Sequence, residues 1–216
     1  MNILIDLDGT LTDPREGIVA CFKHALVKLG QGCPSDSELE RYIGPPLYES
    51  FGQLLDSTDP QRINRAVDLY RDRFSSTGMF ENTVYPGIEP ALAMLRDLGA
   101  VLFVATSKAQ VFAERIIEHF GLDRFFRAVY GSELDGARAN KADLIAHILK
   151  AESILPPSAL MVGDRAHDVL GAKANGVFAI GVLWGYGSRE ELVAAGATLL
   201  CRQPSMLSNA ALSGLP

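Results

Sequence analysis

Asp6-Leu7-Asp8-Gly9-Thr10 follows directly on the apolar run Ile3-Leu4-Ile5. Two carboxylates thus stand where a buried strand would end. Carboxylates are costly to bury unless they are paired or hold a cation. Gly9 lets the chain turn at once without steric cost. Two further polar groups follow other apolar runs. Thr106, Ser107 and Lys108 come after residues 101–105. Asp164, Arg165, His167 and Asp168 come after residues 160–163, and Lys141 opens a helical segment before that run.

These residue types suit one reaction class. Carboxylates clustered with oxygen-only partners favour a hard ion such as Mg²⁺. The ion would screen an Asp nucleophile from an anionic phosphate. Attack by Asp would give a phosphoaspartate, which splits one hard step into two. Thr106 and Lys141 would hold the phosphoryl oxygens as charge redistributes. A second carboxylate would protonate the leaving group and then deprotonate water.

The elements that must position these residues are legible as alternation. Short apolar runs at residues 3–5, 100–105, 128–130, 159–162, 177–182 and 198–200 read as strands buried on both faces of a parallel sheet. Between them lie helical stripes. Ile88, Ala91, Leu92, Leu95 and Leu98 end at Gly99; Phe112, Ile116, Ile117 and Phe120 end at Gly121; Leu144, Ile145, Ile148 and Leu149 form a third. The expectation is a doubly wound α/β core. Ligands bind such sheets beyond the carboxyl ends of the strands, where the polar residues above fall.

The first strand breaks the alternation. About 65 residues after Asp13-Pro14 carry helical periodicity and no convincing strand. Ile18, Val19, Phe22, Ala25, Leu26 and Leu29 form one amphipathic stripe, closed by Gly30; Ile63, Val67, Tyr70 and Phe74 form another. The reading is a core of residues 1–14 and 82–216 with a small inserted helical cap, residues 15–81. The tail from Gln203 reads as a short helix or as disordered.

Composition narrows the classes. A charge of -6 argues against nucleic acid polymers and acidic membranes as partners, though not against an anionic metabolite. Cys21, Cys33 and Cys201 match no zinc spacing and read as reduced thiols of a cytoplasmic protein. No stretch approaches the ~20 apolar residues of a membrane helix. The glycines around Trp184 read as turn glycines, and His24, His119 and His147 as ordinary helix residues.

Taken in order, these residues resemble the haloacid dehalogenase superfamily. Asp6-Leu7-Asp8-Gly9-Thr10 looks like its first motif, Thr106 its second, Lys141 its third, and Gly163-Asp164-Arg165-Ala166-His167-Asp168 its fourth, acidic motif. The helical insertion resembles the type 1 cap, and the core a Rossmann-like sheet. The resemblance implies that Asp6 is the nucleophile and a Mg²⁺ ligand. It implies that Asp8 is the general acid/base, with its carbonyl on the metal. Thr106 is then the phosphoryl donor, Lys141 the charge neutraliser, Asp164 a direct metal ligand, and Asp168 a group orienting metal-bound water. Ser107, Arg41 and His167 are the candidate substrate contacts.

An acid at position 8 disfavours the dehalogenase branch. The stretches at 41–47 and 131–136 look like the phosphoglycolate phosphatase and 5′-nucleotidase-like branch. The implied activity is hydrolysis of a small phosphorylated metabolite, a nucleoside 5′-monophosphate or phosphoglycolate, by a monomer or homodimer. The alternatives are a sugar-phosphate mutase and a phosphoaspartate signalling domain; the inserted helices argue against the latter.

Overall fold

The computed structural model describes residues 1–213. The chain folds into two compact units, one of Met1–Asp13 with the chain from Val84 onward, the other Pro14–Thr83. The strands are β1 (Asn2–Ile5), β2 (Thr12–Asp13), β3 (Thr83–Val84), β4 (Val101–Ala109), β5 (Ala128–Ser132), β6 (Ala159–Gly163), β7 (Phe178–Val182) and β8 (Leu199–Cys201). The longer helices are α1 (Arg15–Lys28), α2 (Asp36–Leu39), α3 (Leu47–Leu54), α4 (Pro60–Arg73), α5 (Ile88–Asp97), α6 (Gln110–His119), α7 (Lys141–Ala151), α8 (Ala166–Ala174), α9 (Arg189–Ala195) and α10 (Leu207–Ser213).

Six strands form one sheet in the order β5-β4-β1-β6-β7-β8, every neighbouring pair parallel. Parallel neighbours need crossovers, and helices supply them. The chain builds outward from β1 to one side, through β4 and β5. It then returns to β6 and builds to the other side. The strand order therefore reverses beside β1, and the crevice at such a reversal is where α/β sheets bind ligands.

Register makes the crevice polar. Ile5 is level with Val104 on one side and Val162 on the other. Asp6 and Asp164 thus leave the sheet at neighbouring strand ends, beside residues 105–106 of β4. The strands themselves are apolar because both faces are covered. Leu4, Phe103, Leu144, Ile148, Met161 and Val169 share one buried cluster on the side covered by α7 and α8. The expected strands differ from the observed ones mainly at their ends: β4 runs four residues past Ala105, to Ala109. Pro204–Met206 and α10 pack against α5, so the tail is helical as far as Ser213; the last three residues lie outside the described ones.

The second unit is helical. α1 and α4 pack together, with α3 against α4. Its core holds an aromatic cluster: the rings of Phe22 and Tyr70 are 5.1 Å apart, Phe22 and Phe51 5.2 Å, and Tyr70 and Phe74 5.5 Å, spacings at which ring quadrupoles attract. Arg73 grips Glu81 with two parallel hydrogen bonds of 2.7 and 2.9 Å.

Candidate active site

The backbone turns sharply after β1. The Asp6 N–H still donates to the Val162 carbonyl at 2.9 Å, as a strand residue would. The Leu7 carbonyl then accepts from the N–H groups of Leu11 and Thr12 at 2.9 and 3.0 Å. Gly9 has φ +83°, and a Cβ there would lie 2.3 Å from Asp164 Oδ2. The turn is therefore pressed against the end of β6, and only glycine fits. Asp6 and Asp8 are both buried, at 4% and 6% exposure.

Lys141 stands at the first position of α7. Asn140 caps that helix, its side chain accepting from the N–H of Ala142 at 2.8 Å. A cation at a helix N-terminus opposes the helix dipole, so something else must hold it. Its ammonium has three donors: it donates to Asp6 Oδ1 and to the Ala105 carbonyl, both at 2.9 Å, and pairs with the Asp168 carboxylate, whose Oδ1 lies 2.7 Å away. One lysine thereby ties the end of β1 and the middle of β4 to the first turn of α8. Asp168 uses its other oxygen to accept from the Arg165 N–H at 3.1 Å, which satisfies the backbone donor at the N-cap of α8.

Asp164 is fully buried, and a loop after β7 clamps it. The Tyr186 N–H donates to Asp164 Oδ2 at 2.7 Å, and Trp184 Nε1 donates to the Thr10 carbonyl at 3.0 Å. The Tyr186 hydroxyl donates to Asp13. A Cβ on Gly185 would sit 2.3 Å from the Gly9 carbonyl oxygen and 2.4 Å from Asp164 Cβ. The glycines around Trp184 are thus more than turn formers: they let this loop reach the acidic cluster.

The second polar group owes its position to a bulge. Ala105 is level with Tyr130, but Ala109 is level with Ser132. Three residues, Thr106 to Lys108, therefore lie opposite Gly131 alone. Bulges redirect side chains beside active sites. Gly131 is needed there, because a Cβ would lie 2.6 Å from the Lys108 carbonyl oxygen. Thr106 is buried, and its hydroxyl oxygen accepts from the Lys108 N–H at 3.2 Å. That leaves the hydroxyl proton available for donation. Ser107 is half-buried, and its carbonyl accepts from the Ser132 hydroxyl at 3.0 Å. The Lys108 ammonium lies 2.8 Å from Asp8 Oδ2, and both side chains are more than nine-tenths buried.

The charges do not balance. Four buried carboxylates, Asp6, Asp8, Asp164 and Asp168, face two buried ammonium groups, Lys108 and Lys141. Burial pushes the Asp6 carboxyl above the usual range, Lys141 pulling it down and Asp168 adding to the rise. Burial likewise raises Asp8, with Lys108 working against it. Asp164 is raised well above the usual range, by burial first and then by the charges of Asp168 and Asp6. Burial opposes the charge on Lys141, but Asp168 and Asp6 outweigh it and raise that ammonium's pKa. Oxygens of Asp6, Asp164 and Asp168 lie within 4.8 Å of one another. An all-oxygen donor set with surplus negative charge fits a hard divalent cation.

The structure thus gathers Asp6, Asp8, Lys141, Asp164 and Asp168 at adjoining strand ends, with Thr106 beside them. His167 is exposed on the first turn of α8. Arg41 belongs to the helical unit, where its Nε donates to the Glu38 carbonyl and its guanidinium lies over the Tyr42 ring. Two features fell outside the expected catalytic set. Lys108 was visible as a cation two residues after Thr106, yet nothing local ties it to Asp8. The Tyr186 amide is a backbone group and leaves no mark in the residue types.

Comparison with known proteins adds the kinship. The sequence model of one protein family, described as haloacid dehalogenase-like hydrolase, matches residues 3–182. The chain is 51% identical over 200 residues to the 5′-nucleotidase of Pseudomonas aeruginosa, covering 93% of this chain and 90% of that protein. It is 41% identical over 188 residues to tyrosine-protein kinase PtkA of Mycobacterium tuberculosis, spanning 87% of this chain but only 64% of that protein's length. Among solved structures, a predicted phosphatase from Clostridium acetobutylicum superposes with a TM-score of 0.95 at 43% identity, covering 98% of both chains.

Proposed function

The chain belongs to the haloacid dehalogenase-like hydrolase family and is a phosphatase, and from that premise we propose that it hydrolyses small phosphomonoesters with Mg²⁺ through a phosphoaspartate on Asp6. One observation carries the assignment of Asp6: its Oδ1 is held at 2.9 Å by the buried Lys141 ammonium. That fixes one oxygen and leaves the other to attack phosphorus.

Asp6, Asp164 and Asp168, with the Asp8 carbonyl, are the groups that would hold the Mg²⁺. When bound, it supplies charge screening between the nucleophile and the phosphoryl oxygens. In the first step an Asp6 oxygen bonds to phosphorus as the ester P–O bond breaks. Asp8 gives its proton to the departing oxygen, which its burial-raised pKa favours. Thr106 donates to a phosphoryl oxygen, and Lys141 neutralises charge gathering there. In the second step Asp8 takes a proton from water. The water oxygen bonds to phosphorus, and the Asp6–phosphorus bond breaks.

A nucleoside 5′-monophosphate is the favoured substrate, supported by the relationship to the Pseudomonas enzyme; phosphoglycolate is the alternative. The likeness to PtkA favours a second reading, transfer from Asp6 to a hydroxyl other than that of water. Phosphate release across a panel of monophosphates, with and without Mg²⁺, tests both. Stoichiometric inorganic phosphate, lost in Asp6→Asn and reversibly lost on chelation, is the expected result. Near-normal turnover by Asp6→Asn removes the nucleophile assignment. Substrate loss without phosphate release favours transfer.

A further inference from the structure

Resting on the proposed acid–base role of Asp8, we propose that Lys108 is its positioning residue, holding Asp8 by Oδ2 so that Oδ1 is the oxygen that carries the proton. The two oxygens of Asp8 differ sharply in surroundings. Oδ2 lies 2.8 Å from the Lys108 ammonium. Oδ1 is buried and has no hydrogen-bond partner among the described residues. A buried acceptor without a partner is costly, so its retention calls for a use. Proton exchange with the leaving-group oxygen, and later with water, is that use. The ammonium beside Oδ2 disfavours protonation there more than at Oδ1.

The fold goes to some length to place this lysine. A regular β4 would put Lys108 in ladder register with β5. The bulge at 106–108 takes it out of register, and Gly131 opposite leaves room for the Lys108 carbonyl. The same bulge has the Lys108 N–H donate to Thr106 Oγ1. One backbone irregularity thus sets both the phosphoryl donor and the group that orients the acid.

Leaving-group chemistry separates this role from a structural one. A simple alkyl phosphate needs its departing oxygen protonated; p-nitrophenyl phosphate leaves as a stable phenolate and needs it far less. With the full chain and saturating Mg²⁺, Lys108→Met is expected to lower kcat/KM for the alkyl ester by about 10²-fold, in the range of lost acid–base assistance. The aryl ester is expected to fall by about tenfold less than the alkyl ester. Asp8→Asn should discriminate in the same direction, and adding Lys108→Met to it should cost less than about threefold more, because the two act as a unit. Lys108→Arg, which keeps the cation, should recover most of the alkyl activity. Lys108→Gln provides the same comparison if the methionine variant does not fold. Equal losses on both esters, or full additivity with Asp8→Asn, overturn the proposal. If Asp8→Asn itself treats the esters alike while Asp6→Asn is dead, the acid–base reading falls and this proposal falls with it. If the wild type releases no phosphate from either ester, the phosphatase reading is what fails.

Discussion

Replacing Lys141 by methionine removes the ion pairs at the centre of the site while keeping most of the side-chain volume. Lys141 lies 2.9 Å from Asp6 and 2.7 Å from Asp168, with all three side chains at 6% exposure or less. At an effective dielectric of ~20, each contact is a gross attraction of about 6 kcal/mol. Burying the ammonium offsets much of that, so the gross figure overstates the net. The larger consequence is what remains behind: two buried carboxylates without their cation. Breaking a buried pair from one side costs about 3–5 kcal/mol. For a chain of this size that corresponds to a fall of about 6–20 °C in melting temperature. Calorimetry in chelator, so that no cation compensates, reads the effect on the unit that holds the site. Mg²⁺ should then raise the variant's transition by more than the wild type's, because the uncompensated charge is larger. Turnover should fall by about 10²–10³ through loss of phosphoryl stabilisation. A variant melting within about 2 °C of wild type in chelator refutes the reasoning, since it would mean Lys141 holds no buried charge.

Two further outcomes test other parts of the molecule. Gly185→Ala drives a methyl to 2.3 Å from the Gly9 carbonyl oxygen, so it should cost about 1–3 kcal/mol by overpacking; titration calorimetry should also show weaker Mg²⁺ binding, and unchanged binding would mean the loop does not hold Asp164. Glu81→Gln breaks the Arg73 pair in the helical unit, and its partial exposure limits the loss to about 0.5–1 kcal/mol. The arginine beside it holds the Glu81 carboxyl below the usual range, so the pair's contribution is full at neutral pH. It is lost as pH falls through that lowered value. Urea titrations at a series of pH values should show wild type and variant converging in acid; a gap independent of pH would contradict the ion-pair account.

The chemistry-bearing residues were legible because their signals are local. An acid pair directly behind a buried apolar run marks a strand end wherever the strand goes. The same holds for Asp164 behind β6, while Thr106 follows its apolar run but lies within β4. Helix stops were legible for the same reason: Gly99 and Gly121 end their stripes in the left-handed region, at φ +79° and +64°. The far end of β4 was not legible. Thr-Ser-Lys has no apolar alternation, and its strand character comes from pairing with β5. The order of strands in the sheet was also not local information, because it depends on how crossovers pack.

The sequence by itself pointed to the residues that could act and set Asp6, Asp8, Thr106 and Asp164 just behind apolar runs. Tertiary structure decided which atoms meet. Lys141 reaches Asp6 across 135 positions of chain, carried there by the packing of α7 against α8 and β4. Whether Lys108 faces solvent or the acid at position 8 is decided by a bulge, and the bulge by the absence of a side chain at Gly131. Such contacts are set by steric fit between segments distant in sequence, so no local pattern of residue types encodes them.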